Sequence, residues 1–212
     1  MDLNHEFEVP VTVDEAWKIL TDVERIAPCL PGAELQEVEG DTYRGVVKVK
    51  VGPIQAQFKG QASFVERDDT AHKAVLRGEG RDTGGKGNAS ALITAQLTGI
   101  TSGTTKVEVT TDLSITGKIA QFGRGAMADI SDKILGQFVE NLNTLIASQP
   151  AAPAAESPVA AQPAATDAGP RKIDGPEAKP IDLLDAAGAP ILKRALPVVV
   201  VVAAVIAWLV LK

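Results

Sequence analysis

Apolar and polar positions alternate with a period of two over residues 3–9, and Pro10 closes the run, as in a strand with one buried face. The period then changes. After Thr12, residues Val13, Ala16, Trp17, Ile19 and Leu20 recur at helical spacing, with Thr12 placed to cap the helix and Glu15 three residues on. A second short helix is expected over 22–27, stopped by Pro28 and Pro31. Alternation returns over 34–38, 42–51, 54–67, 72–81, 89–99 and 104–115, with turn residues such as Gly52-Pro53, Asp68-Asp69, Gly84-Gly85 and Ser102-Gly103 between the longer runs. From Ile119 the apolar residues Phe122, Ala126, Ile130, Ile134, Phe138, Leu142 and Leu145 step by three or four, which predicts one long amphipathic helix. A curved antiparallel sheet with one apolar face and a helix with one apolar stripe must bury those surfaces, and they can cover each other. The expected class is α+β, with seven strands around a C-terminal helix.

The alternation also assigns the inward positions, and their size is informative. Tyr43, Phe58, Gly60, Ala62, Phe64, Leu76, Gly78, Ala91 and Ile93 fall on the inner face of the middle strands, facing Phe122, Met127, Ile130 and Phe138 of the helix. Gly60, Ala62, Gly78, Gly80, Ala89, Ala91 and Ala95 are small where native packing density calls for larger groups. Either they leave a void, or the helix sits closer and the glycines serve strand bends and bulges. An empty void costs about 24 cal/mol per Å³, so the first alternative calls for an apolar ligand. These thirteen residues are the candidate ligand-binding set. Gly123, Arg124 and Gly125 interrupt the helical pattern and are candidates for a hinge, with Arg124 as a polar gate.

Beyond residue 148 the pattern stops. Residues 149–194 are rich in Ala and Pro, a composition that buries too little to fold and reads as a disordered linker carrying a short apolar patch at Ile181, Leu183, Leu184, Ile191 and Leu192. Residues 195–212 are uncharged until Lys212 and long enough, at about 25 Å, to approach the bilayer core as a transmembrane anchor. Leu196, Val201, Trp208 and Leu211 mark that segment, and Lys193 and Arg194 before it place the N-terminal domain, residues 1–148, on the cytoplasmic side of the membrane.

Charge and chemistry narrow the function. The net charge is −6 with Lys and Arg scattered, which argues against a nucleic-acid partner. The single cysteine, Cys29, excludes an intramolecular disulfide and reads as a small buried residue. His5 and His72 lie on separate strands, His5 expected on a strand surface, and no cluster has metal-ligand spacing, so neither a metal nor a catalytic group is expected. Gly84-Gly85-Lys86-Gly87 joins two strands rather than opening a helix, so it is expected to be a flexible hairpin at the cavity mouth rather than a phosphate loop.

Cys29-Leu30-Pro31-Gly32-Ala33, Lys50-Val51-Gly52-Pro53-Ile54, Phe58-Lys59-Gly60 and Ala120-Gln121-Phe122-Gly123-Arg124-Gly125, in this order, resemble the CoxG family, the G subunits of carbon monoxide dehydrogenase. The resemblance implies the START-like helix-grip fold (SRPBCC superfamily), whose sheet curls around a long C-terminal helix and encloses an apolar cavity. It also implies a non-enzymatic accessory protein that links a molybdenum-containing carbon monoxide dehydrogenase, or a related hydroxylase, to the bacterial cytoplasmic membrane. The apolar ligand expected on that reading is a quinone, menaquinone or ubiquinone, or another isoprenoid or lipid, with no covalent cofactor. Two other readings remain: recruitment without ligand carriage, and a cyclase- or hydrolase-type enzyme on the same fold.

Overall fold

The computed structural model describes residues 1–51, 54–148, 171–173 and 181–182. Strand β1 (Asp2–Val9) leads into α1 (Val13–Thr21) and α2 (Val23–Ile26), then a 3-10 turn at Ala27–Cys29. Strands β2 (Ala33–Glu39), β3 (Thr42–Val51), β4 (Ile54–Asp68), β5 (Lys73–Asp82), β6 (Asn88–Thr101) and β7 (Thr104–Ile115) follow. A 3-10 segment, Gly117–Phe122, precedes the long helix α3 (Gly123–Ala147), and two short strands, β8 (Arg171–Lys172) and β9 (Ile181–Asp182), come last. The spatial order is β1-β7-β6-β5-β4-β3-β2-β8, with β9 on β3; every pairing is antiparallel except that of β9.

Local chemistry accounts for the element ends. The Thr12 hydroxyl accepts the Glu15 backbone N–H at 3.3 Å, so α1 begins where the capping pattern places it. Thr12→Ala is expected to lower stability by about 1 kcal/mol, read from a urea titration. At the other end of the domain the prediction fails by one turn. The α-helix starts at Gly123 rather than near Ile119, because Gly123 takes φ 77°, a left-handed conformation that an α-ladder cannot pass through, and the preceding residues wind as a 3-10 segment.

The core occupies one end of the sheet. Val9, Val11, Ala16, Trp17, Ile19, Ala74, Leu97, Val107 and Leu142 are buried together, so α1 and the C-terminal half of α3 close over the start of β5 and β7 and the end of β1 and β6. Thr105, fully buried, satisfies its hydroxyl on the Val11 carbonyl at 2.9 Å. His5 corrects the surface expectation: it shares the inner face of β1 with Leu3, Phe7 and Val9, its side chain is 12% exposed, and its Nε2 lies 3.0 Å from Asp132 on α3. The alternation of β1 already demanded this, since position 5 has the parity of 3, 7 and 9.

Within the span read as linker, two segments join the sheet. Arg171 and Lys172 pair with Val38 and Glu37 of β2, and Ile181 and Asp182 pair with Val49 and Lys50 of β3. Composition did not show this, because two-residue strands carry no periodicity. The stretch 195–212 lies outside the described residues, and among those described no helix is long and apolar enough to cross a membrane.

Candidate functional site

Away from the core, the inner face of β3–β6 is apolar and only half buried. Register aligns Tyr43 with Ala62, Ala62 with Gly78, Gly78 with Ala91 and Ala91 with Leu113, a row of small residues between one aromatic and one aliphatic end. The next row runs Phe64, Leu76, Ile93, Thr111 and Leu3. Tyr43, Phe58, Ala62, Phe64, Leu76, Ala91 and Ile93 are all half buried, as are the glycines Gly60 and Gly78 among them. Helix α3 packs chiefly on β1 and on the two 3-10 segments. The small residues are therefore not an adaptation to a closely seated helix.

The glycines divide into two kinds. A side chain at Gly60 would bring its Cβ to 1.9 Å from the Glu79 carbonyl oxygen, and one at Gly45 to 2.3 Å from that of Glu34, so both are needed where neighbouring backbone closes over a strongly coiled strand. At Gly78 a Cβ would meet nothing within 4 Å. The two explanations offered by the sequence thus apply to different residues. Gly60 serves the bend of the sheet, and Gly78 faces open space.

Aromatic groups frame this concavity. Tyr43 and Phe64 meet edge to face with centroids 6.3 Å apart, and Arg67 lies 6.0 Å from both the Phe64 and Trp17 rings. A bulge at Val65, which is 56% exposed, puts Arg67 on the inner register opposite Ala74. Simple alternation missed Arg67 for that reason. Burial, reinforced by Asp41, Glu24 and Asp22, raises the Tyr43 pKa, so the phenol stays protonated and able to donate. On α3, Met127 is buried and Ile130 half buried, while Phe138 packs edge to face with Phe7 at 6.2 Å and belongs to the rim of the core. The side chain of Phe122 lies outside the described residues. Gly123, Arg124 and Gly125 are exposed at the junction between the 3-10 segment and α3.

The hairpin between β5 and β6 is not the loose flap expected from its glycines. Asp82, 3% exposed, accepts the Gln57 N–H at 3.0 Å and the Lys86 N–H at 2.9 Å, and the Lys86 ammonium donates to the Gln55 carbonyl. The Lys118 N–H in turn donates to the Lys86 carbonyl at 2.7 Å, fastening the hairpin to the segment before α3. Polar groups on the inner face are thus engaged structurally: Asp82 by backbone amides and His5 by Asp132. Cys29 is buried, which raises its thiol pKa, and among the described residues no group of three or more His, Cys, Asp or Glu side chains could hold a metal.

A twisted antiparallel sheet curled against one long C-terminal helix, with an apolar concave face, defines a START-like helix-grip protein. Solved structures agree on that architecture: a conserved protein from Geobacillus kaustophilus, 21% identical, aligns with a TM-score of 0.64 over 69% of this chain and 95% of its own. A truncated norcoclaurine synthase from Thalictrum flavum, 12% identical, aligns with a TM-score of 0.51 over 71% of this chain and 95% of its own. Identities this low speak to the fold alone. No curated protein matches. The sequence model of CoxG, the carbon monoxide dehydrogenase G subunit, matches residues 6–147, and the chain belongs to that family. The match ends where α3 does.

Proposed function

We propose that this chain is a membrane-anchored, non-catalytic accessory of an aerobic molybdenum-containing carbon monoxide dehydrogenase, or a related hydroxylase, and carries a quinone in its concave face. The observation that carries the reading is the open apolar surface around Gly78, which no side chain fills and which lies apart from the packed core. Such a surface suits the isoprenoid tail of menaquinone or ubiquinone or a lipid chain, while the protonated Tyr43 phenol offers a donor to a head-group carbonyl. The dehydrogenase releases electrons that must enter a membrane chain, and an extracted quinone would bring the acceptor to the enzyme. Residues 195–212, from Leu196 through Val201 and Trp208 to Leu211, would hold the domain on the cytoplasmic face of the membrane and raise the effective concentration of both parties.

The test is solvent extraction and native mass spectrometry of residues 1–194 purified from the native host. A quinone recovered in near-stoichiometric amount is the expected result, and a domain reproducibly empty of quinone and lipid overturns ligand carriage. In the same host, removal of 195–212 is expected to move dehydrogenase activity from the membrane fraction to the cytosol. Activity that stays with the membrane would refute the anchor.

A further inference from the structure

The edge of the sheet opposite β1 is covered by the chain's own tail, and the cover is chemically matched. A bare edge strand presents unpaired N–H and C=O groups that will take up another strand. Strand β2 would be such an edge, and β3 becomes one beyond Val47, where its pairing with β2 ends. Lys172 stands opposite Glu37 on β2, Arg171 forms an ion pair with Glu24 on α2, and the Ile173 N–H donates to the Gln36 carbonyl at 2.8 Å. Asp182 then stands opposite Lys50 on the uncovered part of β3. A basic pair meets an acidic edge, and an acidic residue meets a basic one, so charge fixes which tail segment lies on which strand.

We propose that the β2–β3 edge is a strand-docking surface whose occupant is the segment 171–182 of the same chain, held reversibly. Two strands of two residues each, with Arg171 and Lys172 exposed, give few buried contacts, which puts this docking at the low-stability end of the molecule. Its consequence is a tether of two lengths, and that clause rests on the anchor reading above. As an open coil, the 46 residues 149–194 would reach about 37 Å; with the segment docked, only the twelve residues 183–194 follow it, reaching about 19 Å. Docking therefore keeps the concave face close to the bilayer, and release lets the domain travel to its partner.

The full chain in phosphatidylethanolamine/phosphatidylglycerol vesicles provides the test, read by hydrogen exchange and by energy transfer from a dye on Ser102→Cys to a labelled lipid. Exchange in a peptide spanning 171–173 is expected to be at least tenfold slower than for an unstructured chain. R171E/K172E should bring it to the unstructured rate and lower the energy transfer, and adding E24K/E37K should restore both. Wild-type exchange at the unstructured rate overturns the docking, and protection lost on dilution overturns it in favour of a second copy's tail. Normal protection with a transfer that the double variant does not change overturns the two-length tether, whereas a chain that fails to enter vesicles refutes the anchor and leaves the exchange result to decide the docking.

Discussion

Gly78→Leu is expected to cut the quinone recovered with residues 1–194 at least tenfold while leaving the unfolding midpoint in urea nearly unchanged. The argument rests on what surrounds the two glycines that register brings to adjacent strands. At Gly78 an added Cβ meets nothing within 4 Å, so an isobutyl group can enter the concavity without displacing protein atoms and would occupy space the ligand needs. A tenfold loss corresponds to about 1.4 kcal/mol, modest for a group that removes part of an apolar site. Gly60→Ala should do the opposite. Its Cβ would fall 1.9 Å from the Glu79 carbonyl oxygen, so the backbone of β4 or β5 must move, at a cost on the order of 3 kcal/mol. A lower urea midpoint is the expected result. If Gly78→Leu kept full ligand content and full coupling of the dehydrogenase to respiration, the concave face would be incidental and membrane recruitment alone would be the function.

The seven long strands and their order were legible because the alternation is long and the turns between them carry Gly, Pro or Asp. The inward set was legible for the same reason, as far as Phe64. Beyond it the Val65 bulge reverses the parity, and a bulge leaves no mark on a hydrophobic pattern, so Arg67 was invisible as an inner-face residue. His5 was misplaced for the opposite reason: its polarity was weighed above its position, although the strand period put it inside. The hairpin of Gly84, Gly85 and Gly87 looked loose because glycine content reports backbone freedom and not what pins the backbone. Asp82, the residue that pins it, acts through backbone amides that no sequence displays. Size alone could not divide the small inward residues either. Whether a glycine lacks a side chain because backbone lies there, as at Gly60, or because open space lies there, as at Gly78, is a fact about neighbours distant in the chain.

Asp82→Ala is expected to destabilise the domain by about 2–3 kcal/mol at pH 7, because it strands buried amides that now donate to a charged acceptor. Burial by itself would raise the carboxyl pKa, but the Lys86 and Gln57 N–H groups, the Lys86 charge and the Gly84 N–H together outweigh it and hold the pKa below the ordinary carboxylate range. The sign of the pH dependence follows. A carboxyl with a depressed folded pKa contributes its stability above the unfolded value, near 3.9, and loses it as pH falls through the folded value. The difference between wild type and Asp82→Ala, measured by urea titration, should therefore be full at pH 7 and shrink below about pH 4. A difference of equal size at pH 7 and pH 3 would mean that packing, and not the charge, holds the hairpin. Because the Lys86 carbonyl also receives the Lys118 N–H, losing the Asp82 anchor frees the segment that leads into α3. Faster hydrogen exchange should accordingly spread from 83–87 into 117–122 in the variant, and exchange confined to the hairpin would show that the two are not coupled.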